Sequence, residues 1–188
     1  FGCNMLALNG GRPEQLNLKQ FLNAFIIFRE EVVARRTAFE LRKARERSHI
    51  LCGLAVAVSN VDEIVVTIRS SQDPSEAREK LTTRKWDAAE IKEYIMLIDD
   101  PSHKIGEDGS YFLSEIQARA ILELRLQRLT AMGVKEVTQE LQELAVKIKD
   151  YLSILGSREK ILNIISTELI EVRDAYAVPR RSEIIEFD

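Results

Sequence analysis

The sequence is poor in residues that cross-link chains or interrupt helices. Its 188 residues include two cysteines, eight glycines and four prolines. Cys3 and Cys52 lie far apart without metal-ligand spacing, so we expect two unpaired thiols in a reducing cytosol and no disulfide framework. With 45% hydrophobic and 30% charged residues, the composition is typical of a soluble helical protein and excludes a disordered one.

Segments that would direct the chain to a membrane are also missing. No run of about 18 apolar residues occurs, so no membrane span is predicted. The opening, FGCNMLALNGG, has neither an initial methionine nor a charged n-region, which argues against a signal peptide and against a natural start. We expect an excised piece of a longer, cytoplasmic protein.

Groups that carry enzyme chemistry are scarce as well. His49 and His103 are isolated, and no glycine-rich phosphate loop is present. Asp99 and Asp100 are adjacent, but acids in a polar loop are usually solvated. We therefore expect no catalytic residue, metal site or cofactor in this chain. The net charge of −3 excludes general affinity for nucleic acid, so phosphate binding would need a local patch.

The chain instead contains a long helical pattern. The segment LNGGRP, at 8–13, is typical of a tight turn and predicts a small hairpin or strand end. Asn17 can cap a helix that begins near Leu18. From there apolar residues recur every three or four positions, which predicts one long helix over 18–69 that can bend near Gly53.

Shorter helices are predicted in the middle of the chain, where three capping signatures occur. A polar loop over 99–110 separates the second from the third, which opens a helix over 115–129. Each signature joins an N-cap residue to an acid or amide three positions later: Asp73 and Glu76, Asp87 and Glu90, and Ser114 and Gln117.

The most regular pattern comes last. From 134 to 176 apolar or aromatic residues follow alternating steps of three and four, with Arg158 as the exception. A strict 3.5-residue period over six heptads predicts a coiled coil, here one helix of about 64 Å that ends at Pro179. The seam comprises Val134, Val137, Leu141, Leu144, Ile148, Tyr151, Leu155, Arg158, Leu162, Ile165, Leu169, Val172 and Tyr176.

A coiled-coil helix needs a partner, and the helix that begins at Leu18 offers one within the chain. The predicted fold is therefore all-α: a long antiparallel coiled-coil hairpin with a small helical dimerisation head at its tip. A compact bundle with the long helices as its core is the alternative. The regular heptads favour the hairpin.

The helix over 115–129 has two apolar stripes, whereas the surface helix of a monomer needs one. The second stripe predicts contact with a partner, most simply a second copy related by a two-fold axis; complete burial is the alternative. One stripe comprises Ile116, Ala120, Ile121 and Leu124, and the other Ala118, Leu122, Leu126 and Leu129. The predicted dimer interface comprises Leu122, Leu126 and Leu129, followed by Leu124 and Ile121.

Four stretches resemble the A subunits of bacterial type II topoisomerases, and they cover essentially the whole chain. They are FGCNMLAL, EEVVARRTAFELRKARERSHIL, YFLSEIQARAILELRLQRLT and ILGSREKILNIISTELIEVRDAY. The opening and the long insert before YFLSEIQ resemble DNA gyrase more than topoisomerase IV, which is the alternative.

The resemblance implies a place within such an enzyme. Residues 1–17 would be the tail of the tower region, 18–60 and 134–177 the outgoing and returning coiled-coil arms, 61–133 the globular exit-gate head, and 178–188 a linker towards a C-terminal domain. In this family a DNA duplex crosses a break in a second duplex and leaves through the gate. The parent complex is a heterotetramer with the gyrase B subunit, and it uses ATP and Mg²⁺.

The resemblance also implies that the active tyrosine lies upstream, in a winged-helix region. None of Tyr94, Tyr111, Tyr151 and Tyr176 stands in a similar stretch. Tyr151 and Tyr176 occupy seam positions, where we expect a packing role. This chain should neither cleave DNA nor hydrolyse ATP by itself.

A basic stretch interrupts the first long helix, with six cations and two anions in residues 35–47. It has two interpretations: a solvated face with i,i+4 ion pairs, or a weakly positive wall that contacts the transported duplex non-specifically. For the chain as a whole, a coiled-coil arm that docks a protein or an RNA is an alternative function. The candidate DNA-facing residues are Arg35, Arg42, Lys43, Arg45 and Arg47.

Overall fold

The structure, a computed structural model, describes residues 4–92, 95–96, 106, 110–124, 134–183 and 185. The chain divides into two units: unit 1 comprises residues 1–38 and 153–188, and unit 2 comprises residues 39–152. The described elements are β1 (Met5–Asn9), β2 (Arg12–Leu16), α1 (Leu18–Ser59), α2 (Val61–Arg69), α3 (Pro74–Thr83), β3 (Trp86–Asp87), a 3₁₀ turn (Ala89–Ile91), β4 (Ser110–Tyr111), α4 (Glu115–Glu123), α5 (Val134–Leu155) and α6 (Arg158–Tyr176).

Unit 1 begins with the predicted hairpin. Strands β1 and β2 pair antiparallel, with Asn9 opposite Arg12. Gly10 and Gly11 connect them with φ values of 58° and 80°. Two successive positive φ values are typical of the type I′ turn, whose twist matches that of the strands, and glycine adopts them without steric cost.

Helix α1 begins at the predicted position because Asn17 and Gln20 cap each other. The Asn17 side-chain oxygen accepts a hydrogen bond from the Gln20 backbone N–H at 2.9 Å, and the Gln20 side chain accepts one from the Asn17 N–H at 2.9 Å. This reciprocal pairing satisfies two N–H groups that the first turn leaves unpaired. The helix then runs for 42 residues.

Ion pairs connect α1 to α6 within unit 1. Glu168 lies 2.6 Å from Arg29 and 2.5 Å from Arg36. Arg158 donates two hydrogen bonds to Glu30, at 3.1 and 2.9 Å. The hydrogen bond from Arg158 holds the pKa of Glu30 below its ordinary value, and the same bond raises the pKa of the Arg158 guanidinium. Electrostatic pairing thus supplies contacts between these two helices.

The prediction of one continuous helix over 134–176 is wrong, because α5 ends at Leu155 and α6 begins at Arg158. Ser157 caps α6, and its hydroxyl accepts a hydrogen bond from the Lys160 N–H at 3.4 Å. Gly156 precedes this cap, and glycine is a poor helix former. The heptad pattern continues through the break because it records only the spacing of apolar residues.

The predicted seam is buried in α5 and largely exposed towards the end of α6. Leu141 and Ile148 are completely buried, whereas Tyr176 is 77% exposed. The packing role expected for Tyr176 is therefore wrong. Tyr151, by contrast, is half-buried.

Within unit 2, α1 gives way to α2 at a bend of 92°. The bend lies at Asn60, not at Gly53, where it was predicted. The Asn60 side-chain amide donates to the carbonyls of Val56 and Asp87, at 2.8 and 2.9 Å. These bonds compensate for the interrupted helix, since a turn leaves backbone groups that need partners.

The core of unit 2 is formed by α1, the short elements between residues 61 and 124, and α5. Trp86 on β3 is buried, and its indole N–H donates to the Leu81 carbonyl at 2.9 Å. Strand β3 pairs with β4 through Trp86 and Tyr111. The largest completely buried apolar side chains are Trp86, Tyr111, Leu51, Ile64, Leu81, Ile91, Ile121, Leu141 and Ile148.

The capping signatures have different outcomes. Asp73 accepts from the Glu76 N–H at 2.8 Å, with Pro74 in the first turn, so the predicted start of α3 is confirmed. Asp87 accepts from the Ala89 N–H at 3.0 Å, just before the 3₁₀ turn. After this turn Lys92, Ile95 and Met96 are helical, and the rest of the predicted helix lies outside the described residues. Most of the predicted loop over 99–110 lies outside the described residues.

The predicted fold class, an all-α coiled-coil protein, is confirmed by the long α1, the further helices and the small share of strand among the described residues. The domain boundaries that the resemblance implied, at residues 60 and 133, stay a prediction.

In the part of the chain that the structure describes, no single helix combines the length and the apolar character of a membrane span. Helices α1 and α2 together, as a bent pair, satisfy the length and composition criteria alone.

Candidate functional site

Helix α4, which carries part of the predicted dimer interface, begins with the predicted capping box. The Gln117 N–H donates to the Ser114 hydroxyl at 3.2 Å, and the Ser114 N–H donates to the Gln117 side-chain oxygen at 2.9 Å. The helix ends at Glu123, because Leu124 is extended with φ −72° and ψ 134°. It is therefore shorter than the predicted 115–129. Leu126 and Leu129 lie outside the described residues.

The face of α4 that packs inward differs from the predicted stripes. Gln117, Ala118 and Ile121 are buried, whereas Ile116 is 63% exposed. Positions 117, 118 and 121 share one helix face at steps of three and four residues. Ile121 is only 1% exposed and lies in the core of its own unit, and its assignment to the interface stays a prediction. Helical spacing alone groups Ile121 with Ile116. It does not reveal that the polar side chain of Gln117 lies on the buried face of α4 together with Ala118 and Ile121.

The predicted interface residue Leu122 is half-buried and lines a cleft between α3 and α4, and Leu124 is also half-buried. An apolar centre with a polar rim is the usual arrangement of a contact surface. The residues that line the cleft are Asp73, Pro74, Ser75, Arg78, Arg119, Leu122 and Glu123. The assignment of the interface to this face stays a prediction.

A buried polar network joins α4 to α1, and it escaped prediction. His49 Nε2 lies 2.7 Å from the Ser114 hydroxyl. The Gln117 side-chain amide donates to the His49 backbone carbonyl and to the Tyr111 hydroxyl, both at 2.7 Å. The sequence presented His49 as isolated, because its partners are more than sixty residues away along the chain. The one sequence feature that pointed to this contact was Gly53, one helical turn after His49, because a glycine inside a helix can mark a close approach of another element.

The five candidate cations of the basic segment have different neighbours, and their contact with DNA stays a prediction. Arg47 forms a bidentate pair with Glu140 of α5, at 2.8 and 3.1 Å. Arg35, which belongs to unit 1, pairs with Glu31 one turn earlier. Arg45 is half-buried, and its Nε atom has no hydrogen-bond partner among the described residues. Carboxylates therefore neutralise two of the five candidate cations.

Like Arg47, which is paired with Glu140, Arg42 and Lys43 of unit 2 are exposed. Both lie over the ring of Phe39: the guanidinium carbon of Arg42 is 5.5 Å and the Lys43 Nζ is 4.6 Å from its centroid. A cation over an aromatic face is attracted to the ring but keeps its charge. These two side chains therefore present positive charge to solvent.

Among the described residues, no group of three or more histidines, cysteines and acids is placed to hold a metal ion. Cys52 is buried in α1, and Cys3 lies outside the described residues.

Comparison with known proteins places these features in a family. A family model for the A subunit of DNA gyrase/topoisomerase IV matches residues 1–170. The chain belongs to this family. The resemblance inferred from its sequence is thereby confirmed, and the match runs from the hairpin into α6.

Individual relatives are named as A subunits of DNA gyrase. The protein from Rickettsia bellii is 47% identical over 184 residues, which are 98% of this chain and 20% of the relative. That from Rickettsia typhi is 47% identical over 190 residues, covering 100% and 21%. That from Haemophilus influenzae is 46% identical over 189 residues, covering 98% and 22%. The chain thus spans about a fifth of the length of the curated relatives it matches.

Proposed function

We propose that this chain is the exit-gate dimerisation module of the A subunit of an ATP-dependent type II topoisomerase of the gyrase kind. Such an enzyme changes DNA supercoiling by passing one duplex through a double-strand break in another. Membership of the family of A subunits of DNA gyrase and topoisomerase IV carries the proposal. The long α1 and the apolar side chains of α4 agree with an arm that ends in a contact surface.

The work of such a module is mechanical. Two copies associate through the Leu122 face of α4, and they separate when a duplex leaves. Burial of apolar side chains holds the gate shut while the DNA is broken, and the moderate size of one helix face allows it to reopen. The charged rim contributed by Arg78, Arg119 and Glu123 favours correct alignment over raw affinity.

Chemistry that the module itself lacks belongs to the parent complex in this proposal. The cleavage tyrosine lies elsewhere in the A subunit, whereas ATP and Mg²⁺ are bound with the participation of the B subunit. The partners of this chain are a second copy, the B subunit within the heterotetramer, and double-stranded DNA in transit. The same region of a topoisomerase IV A subunit is the alternative, and the two differ in whether the full enzyme introduces negative supercoils into relaxed DNA.

The interface can be tested in the full-length A subunit by light scattering. Leu122→Arg combined with Leu126→Arg places two charges in the proposed contact, where an unpaired buried charge is costly. We expect monomers, or dimers only at high protein concentration. Ile116→Arg is the matched control, because it makes the same change at an exposed position on a different side of α4.

The control variant should remain dimeric. A dimer that survives the double substitution and dissociates with Ile116→Arg would move the interface to the other side of α4. A wild-type subunit that stays monomeric at all concentrations and binds RNA would favour a docking arm over a gate.

A further inference from the structure

Gln117 makes an unusual use of a polar side chain, because it is completely buried yet uses both amide N–H groups and its oxygen. Its oxygen accepts from the Ser114 N–H at 2.9 Å, within the capping box. Its nitrogen donates to the Tyr111 hydroxyl at 2.7 Å and to the His49 carbonyl at 2.7 Å. The last bond leaves the neighbourhood of α4 and reaches the backbone of α1.

Gly53 supplies the space that this bond needs. A Cβ atom at position 53 would lie 2.6 Å from Cβ, 2.7 Å from Cγ and 3.0 Å from the side-chain carbon Cδ of Gln117. Those distances are shorter than any ordinary carbon–carbon contact, so only glycine fits there without displacement of α4. We call the space left by the missing side chain of Gly53 the notch. Because Gly53 lies one turn after His49, the notch and the accepting His49 carbonyl are adjacent on α1.

A second link runs beside the first. His49 Nε2 and the Ser114 hydroxyl are 2.7 Å apart, and His49 is buried. Hydrogen bonds weaken once their atoms are more than about 3.2 Å apart or misaligned. A displacement of α4 on α1 that lengthened these 2.7 Å separations by more than about 0.5 Å would therefore weaken both bonds.

We propose that Gln117, seated in the notch at Gly53, is a positioning residue that fixes the register of α4 on α1. The inference rests on the proposed gate function, since α4 carries the Leu122 face. When α1 moves, α4 and its Leu122 face then move with it. The Leu122 face is therefore already oriented before two copies meet. Pre-orientation matters because an interface loses affinity when its groups must be ordered on binding.

The test measures the register by pulsed electron paramagnetic resonance in the full-length protein. Spin labels at Glu46→Cys on α1 and Glu115→Cys on α4 use exposed positions, in a background that lacks Cys3 and Cys52. Labelled copies are diluted with unlabelled ones, so that each dimer reports one pair. We expect a narrow distance distribution that broadens in Gln117→Met, with helix content retained and dimerisation weakened about tenfold.

Tyr111→Phe is the matched control, because it removes a hydrogen bond of the same length from the same amide but leaves the link to α1. It should lower the melting temperature and keep the narrow distribution. Gly53→Ala disturbs the contact from the other side with no loss of polar atoms. It should shift the distance distribution. If Gln117→Met does not fold, the distance distribution of Gly53→Ala serves as the test of the register.

A narrow, unshifted distribution in Gln117→Met or, failing that, Gly53→Ala, with only a lower melting temperature, would reduce Gln117 to an ordinary core residue. Broadening without weaker dimerisation would also overturn the proposal, because α4 would then not need to be pre-oriented. Failure of the gate function itself has a different signature: Leu122→Arg with Leu126→Arg would leave the dimer intact, whatever the label distances show.

Discussion

Helix α1 contributes residues to both units, but its apolar residues are buried in unit 2 and largely exposed near its start in unit 1. In unit 2 every residue of α1 from Leu51 to Ala57 is buried. In unit 1 the apolar stripe near the start of the same helix, Leu18, Phe21, Phe25 and Phe28, is between 42% and 63% exposed. Apolar periodicity therefore identifies the residues that share a face, but it does not determine whether another element covers that face.

The interactions that stabilise the two units differ as well. Unit 2 relies on buried apolar side chains and on the buried amide of Gln117. The α1–α6 contact of unit 1 depends visibly on Glu168 and Glu30, with the arginines that pair with them. Burial of a large apolar side chain contributes about 1.5–3 kcal/mol, whereas a surface ion pair contributes about 0–1 kcal/mol. We expect unit 2 to dominate the stability of the chain.

The largest predicted effect compares one substitution in the two units. Leu141→Ala in α5 removes a completely buried side chain and should cost about 2–5 kcal/mol, because a cavity remains. Leu169→Ala in α6, 42% exposed, should cost less than about 1 kcal/mol. Chemical denaturation followed by circular dichroism measures both. Equal losses would show that the seam in α6 is as well packed as that in α5.

Removal of a helix cap in each unit should give a smaller difference in the free energy of unfolding. Ser157→Ala removes the cap of α6 and should cost about 1 kcal/mol. Ser114→Ala removes the cap of α4 and also a hydrogen-bond partner of the buried His49, so it should cost about 2–3 kcal/mol. Thermal unfolding of the two variants gives the difference. If Ser157→Ala costs as much as Ser114→Ala, the hydrogen bond to His49 contributes nothing.

Charge distinguishes the units as well. Arg29 and Arg36 of unit 1 pair with Glu168, whereas Arg42 and Lys43 of unit 2 lie exposed over Phe39. Arg42→Gln with Lys43→Gln should weaken non-specific duplex binding and reduce the slope of log K against log salt by about 1.8, the value for two phosphate contacts.

Arg29→Gln with Arg36→Gln removes the same formal charge and should change the slope little. Titration of a labelled duplex at several salt concentrations measures both variants. Equal effects would mean that binding follows net charge, and no effect from either pair would favour a merely solvated basic face.

The smallest effect concerns acid. Because Arg158 lowers the pKa of Glu30 from its ordinary value of 4.5, their pair stabilises the folded state above that pH, and the stabilisation is lost as the pH falls through the lowered pKa. Glu30→Gln should therefore reduce the melting temperature slightly at neutral pH, and not at a pH below the lowered pKa of Glu30. Glu143→Gln, at an exposed position on α5, is the control. A Glu30→Gln penalty that persists in acid would contradict this role.

Local elements were predictable where a few adjacent residues determine them. The hairpin turn depends on Gly10 and Gly11, the start of α1 on Asn17, and the start of α4 on Ser114 with Gln117. The breaks were less accessible: Gly156 and Ser157 end a heptad pattern that continues on both sides, and the bend at Asn60 depends on the carbonyl of Asp87, 27 residues away. Signals within one helical turn can be recognised in sequence, whereas long-range partners cannot.

For the candidate site, the sequence indicated the family and a helix with more apolar surface than a monomer needs. It could not show that Ile121 faces inward, since helical spacing alone does not say which stripe meets the core. It could not show that Glu140 and Glu31 neutralise Arg47 and Arg35, because the choice among nearby charges depends on side-chain reach.

By itself, the sequence determined the helical class, the family and the capped ends of α1, α3 and α4, because each follows from residue spacing or from hydrogen bonds within one turn. Only the tertiary structure decided which apolar stripes are covered, where the long helices break, and that Gln117 enters a notch at Gly53. Those outcomes depend on the free energy of contacts between distant segments, which local propensity does not contain.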